Sequence, residues 1–226
     1  MAVRKRASKT TKKQWERFTN AITSLIADGT YGQLVSIHAE MMHNMHGGMG
    51  ATGRQRFLPW HRVYLLRLEE AMQAIEPKSF IPYWDWTRQR TIPAKLANFM
   101  PTVAVPGQGT VSVSRNIGWP PLLPTKAVVD DVMDESTFWD FVTGLEIAHN
   151  GVHGWVGGSM ALLTTAPADP IFWLHHAQID RLWSMWQASN PALNPALAGN
   201  DRVLDPWPER EDQVRSVAAL GYSYGP

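Results

Sequence analysis

All eight histidines of this 226-residue chain fall into two windows. His38, His43, His46 and His61 occupy the first, and His149, His153, His175 and His176 the second. Scattered structural histidines would not sort this way. The split points to two matched ligand sets, so the fold must bring each set to one point. In the second window, AHNGVH puts His149 and His153 at i and i+4, on one face of a helix, where both can grip one ion. Alone, such a pair is equally well read as solvated or capped. A zinc-hydrolase reading needs a glutamate beside the first histidine, and here that neighbour is Asn150. The third ligand must come from DPIFWLHHAQIDRLW. His175 and His176 diverge by about 100° on a helix, so at most one of them points into a shared site. In the first window, HAEMMHNMHGGMG crowds three histidines among four methionines, and His61 follows in FLPWHR. Sets of three neutral imidazoles suit copper, zinc, nickel or iron, and ligand chemistry alone leaves that choice open. Three imidazoles per ion leave positions free for a small molecule, unlike a closed structural site.

There is no cysteine, which excludes disulfides, thiolate metal sites and cysteine nucleophiles. The net charge of +1 argues against a polyanion binder, so no nucleic-acid partner is expected. The basic start, MAVRKRASKTTKK, lacks the apolar stretch of a signal peptide and reads as a solvated lead into the first helix. No stretch reaches the roughly 18 apolar residues that span a bilayer, so no membrane partner is expected. Localisation stays open between the cytoplasm and export with a partner.

Helical spacing of Trp15, Phe18, Ile22 and Leu25 predicts a first helix over 11–27, ended by Asp28-Gly29. A second is expected over 31–45, stopped by Gly47-Gly48, and a third from Pro59 to Pro77. IPYWDWT (81–87) reads as ordered irregular structure. Residues 101–126 read as a long surface loop with one short strand at 110–114. Two more helices are expected over 136–154 and from Asp169-Pro170 to about residue 188. The expected fold is one mainly α domain over 1–226, a bundle of about four helices with long loops and little β structure.

Several stretches together resemble the type-3 copper family of tyrosinases, catechol oxidases and molluscan hemocyanin units. They are YGQLVSIH (31–38), RFLPWHRVYLLRLE (56–69), IPYWDW (81–86), AHNGVHGWVGGSM (148–160), APADPIFWLHHAQIDRLW (166–183) and the closing GYSY (221–224). They span nearly the whole chain. The resemblance implies a four-helix core holding two copper ions, each on three histidines, that bind dioxygen and oxidise phenols or catechols to o-quinones. Carried over by position, His38 and His61 match ligands of the first copper. His149, His153 and the later histidine of the pair, His176, match the second. The family's middle ligand of the first copper falls here on Thr52, so His43 or His46 must replace it. His46 lies about 80° around a helix from His38 and His43 about 140°, which favours His46.

The resemblance also implies roles around the metals. Asn150 and Glu146 match a pair that holds a water able to take a phenol proton. Phe172 matches an aromatic shielding the metals. Arg62 and Asp180 are expected to pair beneath the site, and Trp84, Asp85 and Trp86 to be architectural. Gly154 implies an open entrance, and Leu163 falls near the substrate-facing loop. The expected activity is that of a tyrosinase, monophenol hydroxylation plus diphenol oxidation. A catechol or o-aminophenol oxidase is the nearest alternative, and an oxygen carrier is a further one. The expected partners are small phenols, such as melanin precursors, and O2, with a separate copper-delivery protein as an addition.

Overall fold

The structure, a computed structural model, describes residues 2–118 and 123–226. Its frame is helical, with six α-helices among the described residues and only short strands. Helix α1 (Lys12–Ala27) opens on a reciprocal cap. Thr11 Oγ1 accepts from Gln14 N and Gln14 Oε1 accepts from Thr11 N, which satisfies two of the donors a helix start leaves open. It buries Trp15, Phe18, Ile22 and Leu25 along one stripe. Helix α2 (Thr30–Ala39) carries His38 in its last turn. Helix α3 (Ala51–Ile75) is the longest and carries His61. Helix α4 (Lys126–Met133) packs on α5 (Phe138–Val156), which bears His149 and His153. Helix α6 (Pro170–Ser189) starts with Asp169 accepting from Ile171 N and Pro170 in the first turn, and bears His175 and His176. Helix α3 packs against α1, α5 and α6, and this contact brings the two histidine windows together.

Four sequence expectations need correction. The second helix stops at Ala39, six residues early, because Glu40 turns extended and Asn44 adopts the left-handed conformation (φ 49°) that asparagine tolerates best among residues with a side chain. A short turn, Met41–His43, follows, so His46 reaches inward from a loop. The third helix begins at Ala51 and runs straight through Pro59. An interior proline costs about 3 kcal/mol. Here it lies within a stretch that buries Phe57, Leu58, Trp60, Val63 and Tyr64, and the apolar burial outweighs that loss. The 101–126 loop contains an antiparallel hairpin, β2 (Thr102–Val105) against β3 (Gly109–Ser112), so the expected strand has a partner and lies slightly earlier.

The basic N-terminus is the fourth correction. Residues Ala2–Arg4 form strand β1, paired in parallel with β4 (Tyr222–Tyr224) at the far end of the chain. Arg4 is fully buried rather than solvated. Its guanidinium donates to both Glu69 oxygens (2.9–3.2 Å), to Asp180 (3.3 Å) and to Tyr224 Oη (3.0 Å), with the Tyr222 ring 3.8 Å away. The expected Arg62–Asp180 pair is present, with Arg62 Nε donating to Oδ1 at 2.5 Å. Trp84, Asp85 and Trp86 are buried, as an architectural role requires.

Removing one partner of a buried ion pair strands the other, typically at a cost of 3–5 kcal/mol. Arg4→Met is therefore predicted to lower unfolding free energy by about that much in urea titration. A loss below about 1 kcal/mol, the scale of an exposed pair, would show that the arm contributes nothing structural.

Candidate metal centre

Four helices and one loop deliver the imidazoles. His38, His46 and His61 each offer a nitrogen, and these lie within 4.8 Å of one another. His149, His153, His175 and His176 form a second such group. Within the first, His38 Nε2 is 3.4 Å from both His46 Nε2 and His61 Nε2. Within the second, His149 Nε2 is 3.1 Å from His176 Nε2. The two groups face each other, with the His61 and His176 rings stacked at 4.4 Å.

The other ring nitrogens explain the orientation. His38 Nδ1 donates to Leu163 O (2.9 Å), His61 Nδ1 to Phe57 O (2.8 Å) and His153 Nδ1 to Met160 O (2.7 Å). His149 Nδ1 donates to Asn150 Oδ1 at 3.0 Å. A neutral imidazole that donates from Nδ1 keeps its lone pair on Nε2. In the first group, then, lone pairs of His38 and His61 converge without a proton between them. In the second, His153 Nε2 is buried and has no hydrogen-bond partner. Converging lone pairs and an orphaned buried nitrogen are a donor set that fits a cation, and second-sphere carbonyls of this kind fix ligand tautomers at metal sites.

His175 sits in the second group by distance, yet its tautomer is wrong for a ligand. Trp86 Nε1–H donates to His175 Nδ1 at 3.1 Å, which puts the remaining proton on Nε2. His175 instead stacks on His149 at 5.0 Å, and Trp86 and His175 together brace that ligand from behind. His176 is left to complete the second triad. His43 also stands aside, stacked on Trp60 with Nε2 3.4 Å from Glu40 Oε2. Thr52 is outside both groups, 3.5 Å from Asp201. Phe172 is wedged between the triads, its ring centroid 4.1 Å from His176, 5.0 Å from His38 and 5.8 Å from His153.

Glu146 lines a cleft together with Asn150 and also makes contacts that sequence reasoning did not foretell. Its Oε1 accepts Gly47 N–H at 2.8 Å and lies 3.6 Å from His46 Nδ1. The carboxylate on α5 therefore holds the one loop-borne imidazole of the opposite triad. Gly47 is required for this, because a Cβ there would come within 2.4 Å of Glu146 Oε2. Gly53 is required in the same way, since its Cβ would strike His46 O at 2.3 Å. Asn150 is engaged with His149 rather than with Glu146. No sequence signal marks the Leu163, Met160 and Phe57 carbonyls or the Glu146–Gly47 contact, because backbone acceptors have no residue identity and the contact spans ninety-nine positions.

A cleft of about 270 Å3 opens onto the metal-facing nitrogens, lined by His38, His46, Glu146, His149, Asn150, His153, Met160 and Leu163. Burial, then repulsion from neighbouring imidazoles, holds His38, His61, His149 and His176 well below the usual histidine range. Burial lowers His153 to about 4, against a smaller upward pull from its Met160 hydrogen bond. These imidazoles are neutral at pH 7, as metal ligands must be.

Two facing imidazole triads on a helical core define a binuclear histidine metalloprotein. A family model for the common central domain of tyrosinase matches residues 28–134 and 111–189. A tyrosinase of Streptomyces glaucescens is 33% identical, over 92% of this chain and 93% of its own length. Grixazone synthase of Streptomyces griseus is 26% identical, over 84% and 85%. The fold superposes on deoxygenated hemocyanin from Rapana thomasiana with a TM-score of 0.79 and 23% identity, covering all of this chain and 69% of that one. The chain belongs to the tyrosinase family. It is a copper oxidoreductase of the tyrosinase and polyphenol oxidase class, and its two histidine groups suit the family's two copper ions.

Two predictions follow from this geometry. His46→Ala is expected to reduce copper from two ions per chain to one by elemental analysis, while His43→Ala keeps two; the reverse pattern would reassign the loop ligand. The second concerns acid. Unfolded histidines titrate near 6.5, whereas the folded ones resist protonation. The folded state of the metal-free protein is thus at full stability above about pH 6.5 and loses it as pH falls toward about 4, the His153 value. Denaturation midpoints that do not fall between pH 7 and pH 5 would contradict the buried, neutral cluster.

Proposed function

We propose that this enzyme hydroxylates monophenols and oxidises the resulting o-diphenols to o-quinones, using O2. His38, His46 and His61 hold the first copper, and His149, His153 and His176 the second. The bound coppers supply the dioxygen binding and the electron acceptor. The observation that carries the reading is a carboxylate at the edge of an open cleft whose inner wall is metal-facing nitrogens. Glu146 uses Oε1 on Gly47 N–H, and Oε2 accepts no hydrogen bond among the described residues. Oε2 takes the proton of an incoming phenol, directly or through one water, and general-base help of this kind is worth 10²–10⁴-fold. Asn150 keeps the His149 tautomer fixed. Phe172 packs its ring against His176, His38 and His153 and so gives both triads an apolar backing. Leu163, Ala161 and Ala166 give the ring an apolar wall.

A second reading is oxidation of o-diphenols or o-aminophenols without the monophenol step. One contact favours it: His149 Nδ1 donates to Asn150 Oδ1, so the carboxamide offers a shared water chiefly its NH2, a donor that helps to orient the water but takes no proton from it. Wild-type turnover of catechol alone would select this reading, and reversible oxygen uptake without turnover would select a carrier. Under the first reading, Glu146→Gln lowers kcat/KM for a monophenol about 100-fold and for a catechol by only a few-fold. Equal losses on both would mean that Glu146 acts through His46 alone. A separate copper-delivery partner forms part of this reading. With such a partner, metal-free protein given copper salt alone fills slowly and incompletely, whereas prompt loading to two ions removes the requirement.

A further inference from the structure

The segment 158–166 does two things at once. Its backbone holds one ligand of each triad: Leu163 O accepts from His38 Nδ1 at 2.9 Å and Met160 O from His153 Nδ1 at 2.7 Å. Its side chains Met160, Ala161, Leu163 and Ala166 form one wall of the metal-facing cleft. The segment is itself pinned. Ser159 N donates to Ser114 O at 2.9 Å, Ser159 Oγ accepts from Ser114 N at 3.0 Å, and Thr165 Oγ1 donates to Ser159 O at 2.9 Å. Gly158 (φ 54°) runs so close to this neighbour that a Cβ would come within 2.2 Å of Ser114 O. The wall therefore stands at a fixed place relative to both triads.

The rest of the lining decides what can lie against that wall. No lysine or arginine lines the cleft among the described residues, and Glu146 is its one carboxylate. Glu146 Oε1 is held by Gly47 N–H, and Oε2 meets the phenol hydroxyl in the proposed reaction, so neither serves a charged tail. At the mouth, Ala161 is exposed and Leu162 beside it is 59% exposed. A carboxylate on the substrate thus finds no cation, and an ammonium finds no free acid. Either would stay in water or lose its hydration without compensation. An alkyl chain gains instead, because it and the wall remove apolar area from water together.

We propose that the cleft selects phenols and catechols whose para substituent is uncharged and apolar, over those with a carboxylate, amine or amino-acid tail. This rests on the phenol oxidation proposed for the same cleft. The ring hydroxyls face the metal-facing nitrogens, and the tail lies along Leu163 and Ala161 toward the mouth. A methylene taken fully out of water is worth about fourfold in affinity, and one covered on a single side about twofold. A propyl tail thus gains about eightfold over hydrogen. Leu163 and Ala161 set this selectivity by packing, and neither touches the reacting atoms.

The test compares kcat/KM of the copper-loaded enzyme for catechol, 4-propylcatechol, dopamine and 3-(3,4-dihydroxyphenyl)propanoate. Propylcatechol and dopamine have the same heavy-atom count, so they differ in charge and not in size. All four substrates need only diphenol oxidation, so the monophenol step does not enter. Propylcatechol should exceed catechol about eightfold, with dopamine and the propanoate no better than catechol. Leu163→Asn should reduce the propyl gain to about twofold or less, read relative to catechol so that any general loss cancels. Ala161→Asp, at an exposed position where folding is not at risk, should place dopamine above propylcatechol. Anaerobic calorimetric titration with resorcinol and 4-propylresorcinol, whose meta hydroxyls yield no o-quinone, reads the same wall without turnover. It should show the same eightfold difference, about that expected for three half-covered carbons. A wild type that turns over no catechol removes the oxidase reading and leaves the wall to be judged by this titration. Equal affinity for the two resorcinols overturns the proposal. So does a wild-type preference for dopamine or the propanoate over propylcatechol, an unchanged propyl gain in Leu163→Asn, or an unchanged order in Ala161→Asp.

Discussion

Asp180 holds the structure together. Burial alone pushes its carboxyl up. The guanidiniums of Arg62 and Arg4, joined by hydrogen bonds from Tyr224 and Tyr222, overcome that and keep it below its ordinary range. Four donors converge on one carboxylate: Arg62 at 2.5 Å, Tyr224 at 2.5 Å, Tyr222 at 2.7 Å and Arg4 at 3.3 Å. Asp180 is one helical turn beyond His176, and Arg62 adjoins His61. The hub therefore sets the spacing of one helix-borne ligand from each triad. It also stitches both ends of the chain to the helices, because β1 and β4 supply the other donors. A charge buried without partners would be ruinous, and fully satisfied networks of this kind favour a single arrangement.

The same logic, a fixed partner on the far side of a functional group, recurs around the metals with different chemistry. Three helix-borne ligands, His38, His61 and His153, lean on carbonyls that the backbone already provides: Phe57 O lies one turn back on α3, and Met160 O on the turn after α5. His46 has no helix under it. Its place is set by a carboxylate from α5, by the glycine at 47 that lets that carboxylate approach, and by the glycine at 53 that lets the loop lie on α3. One loop ligand thus requires three residues from three elements, where His38, His61 and His153 each require one carbonyl.

That difference explains what the sequence made legible. Helical periodicity placed α1, and the Asp169-Pro170 start placed α6, to within a few residues, because such signals act locally. The histidine windows and the Arg62–Asp180 pair were legible because each side sits at fixed helical spacing from a motif residue. The early end of α2 was not, since Glu40 turns extended within a helix-compatible stretch and Asn44 goes left-handed beyond it. The arm was not legible either. A three-residue strand carries almost no periodic signal, and its partner is more than two hundred positions away. Arg4 looked solvated because a basic run usually is, and only the distant carboxylates reverse that.

The sequence favours His46 over His43 on two grounds, an angle around a helix that does not reach that point and the turn that Gly47-Gly48 allow just after it. The structure sets His46 beside His38 and His61, because the constraint was broader than the helix. A third nitrogen had to lie beside His38, and the chain had to return toward α3 within a few residues. Gly47 and Gly48 allow that return after His46. His43, in the preceding turn, is instead drawn into contact with Trp60 and Glu40. Of the two grounds, the glycine pair is therefore the better one. It also couples the two metals: any displacement of α5 moves His149, His153 and Glu146 together, so the loop ligand of the first ion follows the helix that carries the second.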